Sequence, residues 1–249
     1  MDTERFERCR SNIVGSIRQG SGIGTYQEKT LHAVLKDYYA PSKDMQEISI
    51  EGYVADIFTG TEVMEIQTGS FAPMRNKLKK LLDRYPVTII HPIPRVKYLS
   101  WIDETTGECS KLRKSTVKGS VYRAFSELYK IKPFLRHPNL KLCFPYLEIR
   151  EYRLLNGWSR DKKKGSARYD RIPGTLLDEI RIDCREDYFQ LIPEGLPELF
   201  TAKDFGEKAK ERKETAALVL NILHDLNVVE RCGRFGHYYL YRIRGGCFH

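Results

Sequence analysis

Val87-Thr88-Ile89-Ile90 is the stretch that most restricts the fold. Four apolar or β-branched residues in succession, without polar alternation, make a strand covered on both faces. Directly before it, Met74 to Tyr85 carries Met74, Leu78, Leu81, Leu82 and Tyr85 on one stripe, with Arg75, Lys77, Lys79, Lys80 and Arg84 outside it. That is an amphipathic helix, ended by Pro86. Upstream, the spacing of Leu31, Val34, Leu35 and Tyr38 predicts a helix from about Tyr26 to Tyr39, stopped by Pro41. Ile48 to Phe58 reads as a strand, Thr59-Gly60 as a turn, and Glu62 to Gln67 as the return strand. The order helix, strand, strand, helix, strand predicts an α/β core with a right-handed crossover. Gly20-Ser21-Gly22-Ile23-Gly24 lacks the preceding strand and the closing Lys-Ser/Thr of a phosphate loop, so it reads as a flexible lead into the first helix.

Farther along, Tyr122 to Phe134 reads as helical, Asn139 to Arg153 as a strand or a helix pair, and Asn156 to Gly174 as a long basic loop. Near the end, Thr201 can cap a helix over Ala202 to Ala209, and Lys213 to Leu226 forms a second helix. Val228 to Arg231 and Tyr238 to Arg242 then pair as a hairpin around a tip at Cys232 to Gly236. Two helices followed by a hairpin is the winged-helix arrangement. The expected organisation is a core over 1–98, a basic α+β region over 99–175 and a winged-helix-like domain over 176–249.

Charge separates these regions. The net +9 divides into 0 over residues 1–94, +11 over 95–175 and −2 over 176–249. The basic segment also holds Tyr98, Trp101, Tyr122, Phe125, Trp158 and Tyr169, and cations interleaved with aromatics suit a polyanion whose bases can stack. The candidate nucleic-acid contacts are Lys36, Lys114, Lys118, Lys162, Lys163, Lys164 and Arg168, with Arg212, Lys213, Arg231 and Arg234 from the winged-helix region. The middle of its second helix, Ala216-Ala217-Leu218-Val219-Leu220, is too apolar to read bases, so DNA contact is expected at its start and at the wing. A protein partner or a homodimer through this domain is the other expectation. No run reaches the 18 apolar residues of a membrane span, and Met1 to Arg10 lacks the apolar stretch of a secretory signal, which places the protein in the cytoplasm with no membrane partner. Six scattered cysteines without a C-x-x-C are expected to be reduced thiols, and Cys232, His237, Cys247 and His249 fit no standard zinc spacing.

Four polar residues carry the chemistry. Asp56 and Glu65 flank one hairpin turn, so their carboxylates can converge on a hard cation, and period two puts Val63, Glu65 and Gln67 on one face. Glu28 and His32 share a face of the first helix. Thr25-Tyr26-Gln27-Glu28 is equally a capping box. With Glu28 in the first helix, Asp56 ending a strand and Glu65-Ile66-Gln67 in the next, residues 24 to 94 resemble the PD-(D/E)xK nucleases. The resemblance implies a restriction-endonuclease-like mixed sheet, Mg²⁺ or Mn²⁺ held by Asp56 and Glu65, and metal-dependent hydrolysis of phosphodiester bonds, with DNA as the expected substrate of an endonuclease. The family's third-motif lysine is Gln67 here, as in its Glu-x-Gln variants. Gln67 would orient water and Glu28 assist, and Lys36 is the candidate to supply the missing charge. The alternative is a catalytically inactive, nuclease-fold DNA-binding or regulatory protein.

Overall fold

A computed structural model describes residues 1–19, 29–156 and 165–245. The predicted helix start at 26–28, the capping box, Glu28, the glycine loop, Lys162, Lys163, Lys164, Cys247 and His249 lie outside those residues. The elements are α1 (Thr3–Gln19), α2 (Thr30–Tyr39), β1 (Gln46–Ile50), β2 (Tyr53–Phe58), β3 (Val63–Ile66), α3 (Arg75–Leu81) and β4 (Val87–Ile90). They continue as β5 (Ile93–Ile102), β6 (Arg113–Lys114), α4 (Val121–Leu128), β7 (Leu140–Leu154), β8 (Ala167–Ile182), α5 (Ala202–Ala209), α6 (Lys213–Asp225), β9 (Val229–Phe235) and β10 (Tyr238–Ile243). Eight strands form a mixed sheet in the order β1-β2-β3-β4-β7-β5-β6, with β8 paired to β7, and β9 and β10 form a separate pair. The protein is therefore mixed α/β. Every residue of β4 is buried, as an uninterrupted apolar strand requires.

The chain divides into two compact units. The first comprises residues 1–68, 90–120 and 144–180, the second 69–89, 121–143 and 181–249.

In the first unit the polar opening residues are helical. Phe6, fully buried in α1, meets the Tyr38 ring edge-on at 5.4 Å, and Arg5 donates to the Ala40 carbonyl just past α2. A helix that buries only Phe6 and Cys9, near its start, gives little periodic signal, which explains why sequence reading misses it. The strand expected over Ile48 to Phe58 is two. Glu51 and Gly52 both take positive φ, 53° and 80°, and Ile50 pairs with Tyr53, so a two-residue hairpin joins β1 to β2. The alternation announces the break, since the inward residues are even-numbered up to Ile50 and odd-numbered from Tyr53. Asn139 to Arg153 is one long strand rather than a pair of elements, and its partner β8 begins at Ala167, inside the stretch read as a loop. Val96 to Ile102 of β5 run parallel to Glu148 to Leu154 of β7.

In the second unit α5 and α6 pack on each other and α4 adds a third helix against α6. The core includes Phe200, Phe205, Val219, Leu220 and Leu223, all fully buried. Thr201 caps α5 by accepting the Lys203 and Asp204 amides, while the Asp204 carboxylate takes the Thr201 amide at 2.7 Å, a complete capping box. The hairpin is longer than expected. Phe235 pairs directly with Tyr238, so its tip is Gly236-His237, and Cys232 is the extra residue where the register shifts. Phe200 bonds Tyr241 in both directions, adding one residue of strand beside β10.

Candidate functional site

Asp56 lies where β2 and β3 part. Phe58 pairs with Val63 and Ile57 with Met64, and just beyond them the Ile66 amide donates to Asp56 Oδ2 at 2.7 Å. The Gln67 amide turns instead to the Ile90 carbonyl at 2.9 Å. Ala55 and Ile57 are buried on the opposite side of β2, so the pleat sets Asp56 on the same face as Glu65 and Gln67. Glu65 is buried at 3% exposure. A buried carboxylate costs free energy unless something compensates its charge, which is the condition under which acids are kept for chemistry.

Helix α2 packs on β2 and β3 and brings two side chains toward this face. His32 Nε2 lies 3.3 Å from Asp56 Oδ2. One turn on, Lys36 is buried with its ammonium 2.5 Å from Glu47 Oε1 on β1. The pairs Gln46 with Ile57 and Ile48 with Ala55 leave Glu47 beside Asp56. Glu47, Asp56 and Glu65 thus succeed one another on three adjacent strands. Glu47 holds φ at 55° inside a strand, a left-handed conformation that costs a non-glycine residue about 1–2 kcal/mol and that turns its side chain toward Lys36. The Lys36 ammonium is therefore engaged by Glu47. On the far side of Gln67, the His91 Nδ1 lies 2.6 Å from its carbonyl, anchoring the backbone there.

Strand β8 reaches the same neighbourhood. The Thr30 hydroxyl, at the first residue of α2, donates to Asp170 Oδ2 at 2.5 Å, and Arg171 Nη2 donates to the Thr68 carbonyl at 3.1 Å, one residue past Gln67. Burial, reinforced by the nearby Arg168 charge, pushes the Arg171 guanidinium down to about 10. Beside it, Glu151 of β7 is 3% exposed and faces three cations: Arg153 Nη1 at 3.5 Å, Arg168 Nε at 3.7 Å and Lys97 Nζ at 3.9 Å.

A family model described as a domain of unknown function, DUF8091, matches residues 29–183, well over half of the chain. The chain belongs to the DUF8091 family. The matched DUF8091 residues include His32, Lys36, Asp56, Glu65, Gln67, Glu151, Asp170 and Arg171, and they end before α5 and the hairpin. An uncharacterized protein of Treponema pallidum (strain Nichols) is 28% identical over 193 residues, 74% of this chain and 74% of that one. No solved structure matches.

The remaining expected contacts fall into separate groups. Lys114 is exposed on β6 opposite Tyr98, and Lys118 is exposed in the segment after it. In the second unit, Lys213 at the start of α6 sits 4.1 Å from the Tyr238 ring centroid, and Arg231 and Arg234 lie 4.3 and 4.8 Å from that of Tyr239. Arg212 is the residue preceding α6. Phe235, beside the tip, is 72% exposed. Among the described residues, no three His, Cys, Asp or Glu side chains gather as a metal-binding group, the five cysteines are free, and no helix is long and apolar enough to cross a membrane. Sequence reading missed Glu47, His91, Asp170 and Arg171. His32 is found by its four-residue spacing from Glu28, and Lys36 as a cation on the same predicted helix, but Asp170 and Arg171 fall in a stretch without periodicity.

Proposed function

We propose that this DUF8091 protein is a cytoplasmic, metal-dependent nuclease that hydrolyses phosphodiester bonds in DNA. The observation that carries the reading is that the pairing of β2 with β3 sets Asp56 and the buried Glu65 side by side on one face, with the Ile66 amide held by the Asp56 carboxylate. Mg²⁺ is commonly held by one or two carboxylates, with waters and substrate phosphate oxygens completing the shell, and this pair fits that demand. Mg²⁺ or Mn²⁺ bound there supplies a Lewis acid for the scissile phosphate and an acidified water.

The side chains divide the remaining work. His32 and the Ile66 amide fix the Asp56 carboxylate. Gln67, on the same face as Glu65, orients the attacking water by hydrogen bonding, and Glu28 assists as an acid or base. Lys36 remains the candidate for the missing lysine, with its ammonium paired to Glu47, whose side chain is 54% exposed. The element order α2, three strands, α3, β4 supports a restriction-endonuclease-like core, and α4, α5, α6 and the β9–β10 hairpin support a winged helix that positions the substrate. The hairpin's stacked cations and aromatics suit contact with nucleic acid, and its exposed Phe235 suits a second copy of the chain or a protein partner.

The test incubates the full chain with supercoiled, linear and single-stranded DNA and with RNA, in Mg²⁺, Mn²⁺ or chelator. Cleavage of DNA that needs the metal and stops on chelation is expected. Binding without cleavage under every condition would favour the catalytically inactive, regulatory reading.

A further inference from the structure

Glu151 is a single buried carboxylate within 4 Å of three cationic side chains, and Arg171 completes a set of four. Even with Asp170 counted, the cluster holds two more positive than negative charges. None of these three approaches to Glu151 is shorter than 3.5 Å, whereas a charge-assisted hydrogen bond closes to about 2.7–2.9 Å. Arg153 Nη2 and Arg171 Nη2 also donate to the Ser166 and Thr68 carbonyls, which hold the two guanidinium groups in place without neutralising their charge. Arg153 Nε and Arg171 Nε are moreover buried donors with no hydrogen-bond partner among the described residues. Buried donors are ordinarily satisfied, so two orphaned guanidinium nitrogens show that the fold leaves this cluster's donor capacity unused, and half-exposed Arg168 opens the cluster to an anion from outside. The planar guanidinium fork matches phosphate oxygens, and a phosphate would offset the surplus charge.

We infer that Lys97, Arg153, Arg168 and Arg171, arranged around Glu151, bind a backbone phosphate of a nucleic acid. The contacts of Arg171 with Thr68 and of Asp170 with Thr30 place this cradle beside the end of β3 and the start of α2, so a strand held there passes the Asp56–Glu65 face. Arg171 then supplies, from β8, positive charge near the position where Gln67 brings none. Glu151 keeps the guanidinium groups from repelling one another and is itself a positioning residue. Identifying the anion as nucleic acid rests on the nuclease reading; the surplus charge and the orphaned donors do not.

The test is fluorescence anisotropy of labelled duplex and single-stranded oligonucleotides with the full chain in chelator, titrated with salt. Arg168→Gln and Arg171→Gln, alone and together, are compared with wild type, with Arg168→Lys, and with Lys79→Gln and Lys203→Gln as exposed controls. The double variant is expected to bind at least tenfold more weakly, with a log–log salt slope on duplex shallower by about 0.9 for each contact removed. Arg168→Lys should restore most of the slope, and the controls should leave it unchanged. Arg168 is about half exposed, so its single variant decides the matter if Arg171→Gln fails to fold. Unchanged affinity and slope in folded Arg168→Gln would overturn the cradle, as would a wild type that binds no oligonucleotide. Binding with the expected slopes but no cleavage in any metal would remove the nuclease reading and leave the cradle standing. Cleavage by a wild type whose folded variants bind normally would do the reverse.

Discussion

In the proposed nuclease, Gln67 is the residue on which activity would turn. Its backbone is pinned on both sides, its amide to Ile90 and its carbonyl to His91, so its side chain leaves from a fixed origin on the Glu65 face. If that amide positions the attacking water, Gln67→Ala lowers turnover by roughly 10² while binding holds, as loss of a positioned group does. Steady-state kinetics separates the two effects, and an equal loss in kcat and in affinity would assign Gln67 to substrate binding instead. Gln67→Lys is expected to retain or raise activity. Glu65 makes a second, complementary prediction. Removing a charge from a site that is 3% exposed relieves a desolvation cost, so Glu65→Gln abolishes cleavage yet melts at or above the wild-type temperature. A lower melting temperature would make Glu65 a structural ion-pair partner. The shared face of Asp56, Glu65 and Gln67 and the helix α2 are legible in the sequence because strand parity and helix spacing are local. Glu47 and Arg171 are not, since their contacts with Lys36 and Thr68 join distant segments.

At the scale of elements, the Glu51–Gly52 turn sets the register that brings β1 beside β2, and it does so with a residue poorly suited to positive φ. Glu51→Asn creates the Asn-Gly pair preferred in such turns, and a stabilisation of about 0.5–1 kcal/mol is expected. Denaturant melts check it, and a loss of stability would show that Glu51's own interactions outweigh the backbone gain. In the second unit, Thr201→Ala removes the α5 cap and is expected to cost about 1 kcal/mol. The Thr201 amide and hydroxyl hold the Asp204 carboxyl below the usual range. A depressed carboxyl stabilises the fold above its unfolded value, about 3.9, and that contribution disappears as pH falls through the lowered folded value. Asp204→Asn should therefore flatten the acid dependence of melting below about pH 4, and an unchanged profile would place the sensitivity elsewhere. These local devices were readable in part. Thr201 and both C-terminal helices follow from capping and periodicity, whereas β8 hides in a charged stretch because its pairing with β7, rather than apolar alternation, makes it a strand.

For the whole molecule, the +11 of residues 95–175 has a structural counterpart in the cations that β5, β7 and β8 bring around Glu151. Binding to nucleic acid should weaken steeply with salt, and replacing Arg231 and Arg234 on the hairpin should alter substrate choice if the wing reads a groove, or overall affinity alone if it touches phosphates. The most direct measurement is a metal-dependent cleavage assay of Asp56→Asn and Glu65→Gln beside wild type, with oligonucleotide affinity measured on the same samples. Wild type is expected to cut DNA in Mg²⁺ or Mn²⁺ and not in chelator, and both variants to lose cutting while their affinity stays within a few fold. Wild-type cutting by both variants, or no cutting of any nucleic acid by the wild type in either metal, would contradict the assignment of this face as a nuclease centre.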